Sequence, residues 1–203
     1  MTVTDKTANT SVPIDALIAR RWSPRAFDKT RPVDEKTLLA LLEAARWAPS
    51  CFGDEPWRFV VCNREQDKSA WEKMLGCLAE KNQLWAKHAP VLMLVGGITT
   101  FSHNGSANRW SQYDTGAASE NVCLQAASMG LNAHQMGGFD VEQARAAFGI
   151  PDEVELMAVI AVGYHGALNT LHEDFQGMED AARERKPLGD NFFAGQWGRP
   201  VSG

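Results

Sequence analysis

Three arginines lie within six residues near the beginning of the chain, in the run RRWSPR at positions 20–25. Guanidinium groups beside a hydroxyl are donors that proteins use to hold a phosphate through charge-assisted hydrogen bonds. Pro24 disfavours a helical conformation at Ser23, so we expect the arginines to lie on a turn that follows a helical stripe in residues 11–21. The run predicts either a phosphate-binding turn or a solvated basic turn.

A second candidate segment is the loop APSCFGDEPW at positions 48–57, which carries two prolines between a predicted helix and a predicted strand. Loops of this kind often supply binding residues because they are held by the rigid elements on either side. Cys51 lies in this loop with no evident basic neighbour, which favours a small packing residue over a redox thiol.

The elements that must position these segments follow from hydrophobic periodicity and from capping residues. Asp34 is a good N-cap for a helix over Glu35–Trp47, which Pro49 stops. The other predicted helices cover 66–81, 111–129 and 140–148, and the predicted strands cover 57–62, 90–96, 131–136 and 154–162. These elements predict one domain over residues 1–203.

The two ends of the chain show no sustained hydrophobic periodicity. We expect residues 1–10 to be flexible and residues 167–203 to form an extended C-terminal arm. Phe192, Phe193 and Trp197 are too apolar for a solvated tail, which favours an arm wrapped around a partner subunit over a disordered one.

Composition narrows the class of protein. The 203 residues include 20 Lys and Arg against 25 Asp and Glu, a net charge of −5, which argues against nucleic-acid or anionic-membrane binding. The N-terminus lacks a secretory signal and the longest apolar run has only ten residues, so we expect a cytoplasmic protein without a membrane span. The spacing of the four cysteines favours reduced thiols over a zinc site or disulfides.

Taken together, these segments resemble the nitroreductase family of flavin enzymes. The resemblance rests on R-R-x-S-x-R-x-F at 20–27, A-P-S through P-W at 48–57, G-G-F-D at 137–140 and G-Y at 163–164. Their order spans nearly the whole chain. The resemblance implies an α+β fold with a mostly antiparallel central sheet flanked by helices, a homodimer with an exchanged C-terminal arm, and FMN at two interface sites.

The same resemblance implies which residues hold the flavin. Arg21, Ser23 and Arg25 would hold the phosphate and the edge of the ring, Trp22 would contribute its backbone, and Arg199 would complete the phosphate site.

Other residues are implied to lie against the ring. They are Ser50, Cys51, Phe52 and Gly53 from the other subunit, and Asn82, Gln135, Met136, Gly137 and Gly138. A backbone N–H near Gly137 would face the flavin N5. No catalytic acid or base is required from the chain, because the flavin carries the hydride chemistry.

Two positions depart from the family pattern. Relatives usually carry Asn and Gln where this chain has Gly53 and Glu55, so the flavin contacts of this loop stay open. A Gly53 that serves only its turn, and a Glu55 that caps or pairs with Arg58, are as consistent with the sequence as a change of function.

The predicted function is an FMN-dependent oxidoreductase that passes a hydride from NAD(P)H through flavin N5 to a small planar acceptor, such as a nitroaromatic or a quinone. One alternative keeps the flavin but changes the reaction to enal or pterin reduction, dehalogenation or flavin fragmentation. The others are a non-catalytic flavin-binding dimer and a module that binds another phosphorylated ligand.

Overall fold

The computed structural model describes residues 5–201, which form eight helices and four strands. The helices are α1 (Ala16–Arg20), α2 (Glu35–Arg46), α3 (Lys68–Cys77), α4 (Glu80–Ala86), α5 (Ser111–Ser128), α6 (Val141–Phe148), α7 (Glu173–Asp180) and α8 (Leu188–Asn191). The strands are β1 (Trp57–Asn63), β2 (Val91–Ile98), β3 (Asn132–Met136) and β4 (Val154–Gly163).

The four strands form one sheet in the order β1-β2-β4-β3, and every neighbouring pair is antiparallel. The central strand β2 is a continuous apolar run, and β4 is one from Leu156 onward, because both of their faces are covered there. β3 lies at an edge, where Met136 pairs with Val159 just before the chain reaches two glycines. The α+β fold class, with an antiparallel sheet flanked by helices, is therefore confirmed.

Helices cover both faces of the sheet. On one face, α2 and α5 bury residues such as Leu41, Val122 and Ile160. On the other face, α3, α4 and α6 enclose a second cluster that includes Trp71 and Trp85. Burying each large apolar side chain of this kind contributes about 1.5–3 kcal/mol.

The predicted helix over 66–81 is wrong in one respect, because the structure has two helices there. The break falls at Leu78 and Ala79, where the chain pairs with the segment after β3. Ala79 N donates to Gly138 O at 3.0 Å, and Asp140 N donates to Cys77 O at 2.8 Å. These tertiary hydrogen bonds outweigh the local helical pattern, and they bring α4 beside the glycines.

The chain after Gly163 carries more structure than its patterning predicts, since α7 packs Phe175 into the core. Beyond α8, a bridge joins Phe193 to Pro200, and Trp197 is 87% exposed. Exchange of this arm between subunits stays a prediction.

The N-terminal segment makes contacts with the rest of the chain as far as it is described. Residues 1–4 lie outside the described residues, and Lys6 is buried with its Nζ 2.7 Å from Ala181 O. The flexibility expected for residues 1–10 stays a prediction. Within residues 5–201, no helix is long and apolar enough to cross a membrane.

Candidate functional site

The arginine turn, residues 20–27, is fixed at its C-terminal end by backbone pairing with the segment that follows β4. Phe27 bridges His165, and Gly166 N donates to Ala26 O at 2.9 Å. A Cβ at Gly166 would lie 2.6 Å from the carbonyl carbon of Phe27, so this approach requires glycine. The G-Y pair seen in the sequence therefore leads into the segment that holds the turn.

A buried carboxylate holds the middle of the turn. Glu179 on α7 is 4% exposed, and its two oxygens accept hydrogen bonds from Arg25 N at 2.9 Å and Ala26 N at 3.0 Å. His165 Nε2 lies 3.4 Å from the same carboxylate. Burial raises the pKa of Glu179, but the hydrogen bonds from His165 and the two backbone groups outweigh it and place the pKa below its usual value.

A histidine on β3 joins the turn to the sheet. His134 Nδ1 lies 2.9 Å from Pro24 O, and since a carbonyl oxygen only accepts, Nδ1 carries the proton. The ring packs against Trp85 with a centroid separation of 4.6 Å. Burial is the largest cause of a lowered pKa at His134, which keeps the imidazole neutral at pH 7. His134 therefore supports the structure of the turn.

The predicted phosphate residues lie on this turn. Arg21 Nη1 donates to Ser23 Oγ at 3.3 Å, and Arg21 Nε lies 3.4 Å from a carboxylate oxygen of Glu120 on α5. The Arg25 guanidinium lies 5.8 Å from the ring centroid of Phe175. The turn thus presents two guanidinium groups and an exposed hydroxyl from three nearby positions.

Another cation, which the sequence analysis did not single out, lies near Arg21. Arg183 Nη1 donates to Lys6 O and to Ala19 O, each at 2.7 Å. Burial lowers the pKa of Arg183, and the positive charges of Arg21 and Arg185 lower it further. These guanidinium groups repel one another, so an anion bound among them would relieve that repulsion.

The glycine-rich end of β3 lies beside α4. Asn82 Nδ2 donates to Gly138 O at 2.9 Å, and a Cβ at Gly138 would lie 2.8 Å from that nitrogen. Gly137 is exposed, with no atom within 4 Å of the position a Cβ would take. An open backbone edge of this kind admits close approach by a flat ligand.

The other two predicted ring residues have different surroundings. Gln135 is exposed and its Nε2 donates to Cys123 Sγ on α5 at 3.4 Å. Met136 is 3% exposed and packs in the core, so only its backbone can face a ligand.

The 50–55 loop is held in a strained conformation. Phe52 has a φ of 56° and Glu55 a φ of 49°, both in the left-handed region that non-glycine residues seldom adopt. Cys51 N donates to the buried Asp114 carboxylate at 2.9 Å, and Glu55 N donates to Ser50 Oγ at 3.1 Å. Backbone strain that side chains hold in place is typical of functional segments.

The loop presents an aromatic side chain to solvent. Phe52 is 81% exposed, and its ring meets Phe101 and His103 edge-on at 5.7 and 5.3 Å. Asp54 accepts a hydrogen bond from Ser102 N at 2.9 Å, which ties the two loops together. Arg58 Nη1 donates to the backbone carbonyl of Glu55 at 3.0 Å, rather than to the Glu55 carboxylate.

Helix α5 contacts both the loop and the turn. Asp114 holds the loop and Glu120 meets Arg21, and these positions are six residues apart, or about 9 Å along a helix axis. The turn is also held to β3 through His134 and Pro24, so Arg21, Ser23 and Arg25 lie near this strand.

Arg199 lies in the C-terminal arm, where its side chain is exposed. Its backbone bonds stay within the arm, to Ala194 and Gln196. The phosphate role predicted for Arg199 stays a prediction.

The donors at this site fit FMN on the grounds of charge and shape. A phosphate needs several cationic or hydroxyl donors, and Arg21, Ser23 and Arg183 supply them. A flat ring needs an open edge, and Gly137 leaves one. The fold and the site define an α+β protein with an arginine-rich turn held against the edge strand of an antiparallel sheet.

Comparison with known proteins agrees with this class. The Nitroreductase family model matches residues 18–164. A protein of Methanothermobacter thermautotrophicus, provisionally named NADH dehydrogenase/NAD(P)H nitroreductase, is 34% identical over 158 residues, which cover 74% of this chain and 76% of the relative. An uncharacterized 15.4 kDa protein of Mycolicibacterium smegmatis is 38% identical over 127 residues, covering 63% and 84%. This chain belongs to the Nitroreductase family.

Solved structures share the whole fold. The crystal structure of an oxidoreductase containing FMN has a TM-score of 0.89 and 35% identity, and the match covers 98% of this chain and 100% of that one. A structure from Desulfovibrio desulfuricans in complex with FMN has a TM-score of 0.69 at 22% identity, covering 93% and 99%, and shows the same fold. The resemblance inferred from the sequence is confirmed.

Proposed function

We propose that this protein is an FMN-dependent oxidoreductase that takes a hydride from NAD(P)H and reduces a small planar acceptor, such as a nitroaromatic or a quinone. The observation that carries the proposal is the arginine turn, which the buried Glu179 and His134 fix beside the open backbone edge at Gly137. The FMN-containing oxidoreductase of the same fold supports the choice of ligand.

In this proposal the chain binds and orients, and no side chain serves as a catalytic acid or base. Arg21, Ser23 and Arg183 hold the phosphate of FMN through charge-assisted hydrogen bonds. Bound FMN would supply hydride chemistry at its N5 atom. The positive charge of Arg25 would stabilise negative charge on the reduced ring and so raise the reduction potential.

The backbone beyond β3 and one side chain of α4 position the ring. Gln135 to Gly138 would lie along the ring, with a backbone N–H near Gly137 facing N5, and Asn82 holds this edge through its bond to Gly138 O. The side chain at Gln135 is held by Cys123. Positioning the donor and the acceptor over one ring in turn is the main contribution of the protein to rate.

The 50–53 loop completes the site in a homodimer. We propose that Ser50, Cys51, Phe52 and Gly53 reach the flavin of the partner subunit, since this loop presents Phe52 to solvent. Exposed apolar side chains on α2, just after it and in this loop support a subunit interface; they include Leu39 at 58%, Trp47 at 73% and Phe52 at 81%. The four free thiols support a cytoplasmic location.

The proposal is tested by removing both guanidinium groups of the turn. Arg21→Ala combined with Arg25→Ala is purified beside a matched control, Lys68→Ala combined with Lys73→Ala, which removes two exposed cations on α3. The ratio of flavin to protein is measured by absorbance. We expect flavin to remain in the control and to be lost from the first variant, whereas full flavin occupancy in both would show that the turn does not hold FMN.

A further inference from the structure

A cavity of about 300 Å³, open to solvent, lies on the side of the arginine turn that Trp22 faces. A water molecule occupies about 30 Å³ in the liquid, so this space exceeds that of a single structural water and reaches the lower end of small-molecule sites. Its walls come from the N-terminal segment, the turn and the segment after β4, and they include Lys6, Arg20, Trp22 and His165.

Lys6 is the feature that points to an anion. This residue is only 8% exposed, and its stem passes over Trp22 with Nζ 5.4 Å from the ring centroid. An ammonium group has three donors, and the structure gives Lys6 Nζ one acceptor among the described residues, Ala181 O at 2.7 Å. A buried charge with unused donors beside a cavity is costly unless an anion or water meets them.

The side chains that line the cavity carry a net positive charge. Lys6 and Arg20 oppose one carboxylate, Asp5, which is exposed and accepts a hydrogen bond from Thr7 N at 2.9 Å. The amide of Asn132 and the hydroxyl of Thr7 add neutral donors to the lining. Two cations with neutral donors around them are suited to a phosphate group.

This cavity borders the proposed flavin phosphate site, because Arg183 donates to the carbonyl of Lys6, but the two sites use different side chains of the turn. Arg21 extends toward Glu120 on α5, whereas the neighbouring Trp22 ring packs toward His165, 5.5 Å away. Asn132 and Gln135 are three residues apart on β3, so their side chains project from opposite faces of the strand. Gln135 faces α5 and Asn132 faces the cavity.

From these observations we propose that the cavity is a second anion site, which binds a phosphate monoester between Lys6 and Arg20. The inference goes beyond the proposed flavin function and does not depend on it. Free inorganic phosphate and the phosphate group of a nucleotide are the two sources that the test below separates, since both present a phosphate anion.

The test is isothermal titration calorimetry, which measures the heat of binding. The purified protein with its flavin bound is titrated with inorganic phosphate, adenosine 5′-monophosphate and adenosine. Lys6→Met keeps the stem over Trp22 but removes the charge, and we expect it to weaken phosphate binding by about tenfold or more. Arg20→Gln is an exposed substitution that should fold normally and weaken binding in the same direction. Lys36→Met, an exposed lysine of α2, is the matched control and should bind like the unmodified protein.

The arms of the titration also identify the source of the phosphate. Equal binding of phosphate and the nucleotide, with none for adenosine, supports a site for the phosphate group alone, and tighter binding of the nucleotide supports a nucleotide site. Absence of phosphate binding at millimolar concentration overturns the proposal, as does binding that both Lys6→Met and Arg20→Gln leave unchanged. A third result would also overturn the proposal: Arg21→Ala abolishes phosphate binding, whereas Lys6→Met and Arg20→Gln do not. The heat would then come from flavin sites left unfilled in the preparation.

Discussion

Two side chains outside the arginine turn hold its backbone in place through hydrogen bonds. Glu179 meets the backbone of Arg25 and Ala26, and His134 meets the carbonyl of Pro24. A turn with three arginines close together would otherwise spread apart, because like charges repel and a loop has few backbone partners of its own. The two buried residues therefore act as positioning residues for the cations.

Replacement of Glu179 by alanine should loosen the turn and destabilise the fold. It leaves the N–H groups of Arg25 and Ala26 without their acceptor, and an unmet buried donor costs about 1–3 kcal/mol. We expect a loss of about 2–4 kcal/mol in the free energy of unfolding, measured by urea denaturation. Glu173→Ala, an exposed carboxylate on the same helix, is the control, and an equal small effect in both variants would contradict this role.

The half-buried imidazole of His134 should make stability depend on pH. Burial lowers its pKa in the folded protein, so the unfolded chain binds a proton more readily as the pH falls below about 6.5. The free energy of unfolding should therefore decrease from about pH 6.5 down to the lower folded-state pKa, and this contribution should be constant above pH 7.

The measurement is urea denaturation across that pH range on the unmodified protein, His134→Phe and His172→Gln. The phenylalanine keeps a ring against Trp85 and removes the titrating group, so the pH-dependent decrease should become smaller. His172 is exposed, and its replacement should leave the decrease intact. An unchanged decrease in His134→Phe would assign the pH dependence to another group.

At the scale of elements, the site depends on how closely helices approach the sheet. Gly97 on β2 lies against α5, where a Cβ would be 2.8 Å from Thr115 Oγ1 and would also clash with Ser111 Oγ. Glycine at this position lets the first turns of α5 approach β2, and Asp114 in those turns holds the 50–53 loop. The packing of one helix thus determines where the loop begins.

Gly97→Ala should push α5 away from β2. Overpacking of this kind costs about 1–3 kcal/mol, and the shift should raise the temperature factor or exchange rate of the loop amides that Asp114 holds. Gly76→Ala on α3 is the matched control, because no atom lies within 4 Å of its Cβ and alanine favours helix by about 0.5–1 kcal/mol. Thermal unfolding should show opposite changes in the two variants; equal stabilisation would contradict the close approach.

The C-terminal elements supply a second test of the flavin phosphate site. Arg183 lies near Arg21 through its bonds to Lys6 O and Ala19 O, whereas the backbone bonds of Arg199 stay within the arm. We expect Arg183→Ala to weaken FMN binding by about tenfold or more and Arg199→Ala to have a smaller effect. Fluorescence titration of flavin-free protein measures both affinities, and the reverse order would support the sequence-based assignment of Arg199.

The sequence predicted those parts of the site that depend on local patterns. Arg21 and Ser23 are neighbours on a turn that Pro24 marks, and α2, α5 and the four strands have strong periodicity or clear ends. Glu179 could not be predicted in this way, because it is 154 residues from Arg25 and lies in a helix with a weak pattern. The break between α3 and α4 likewise depends on pairing with residues beyond β3.

At the scale of the whole molecule, the arginine turn and the strained 50–53 loop contact different turns of α5, through Glu120 and Asp114 respectively. Exposed aromatic residues such as Trp47 and Phe52 border the loop. In the proposed homodimer, this loop would meet the arginine turn of the partner subunit without any new element in the fold.

The most direct test of flavin-dependent oxidoreductase function is the visible spectrum of the purified, untagged protein under anaerobic conditions, before and after NADPH and then NADH. We predict a yellow protein whose flavin absorbance bleaches on addition of at least one of the two donors and returns when a nitroaromatic or a quinone is added. A protein that is colourless and cannot be reconstituted with FMN would contradict the account, and so would bound flavin that neither donor bleaches.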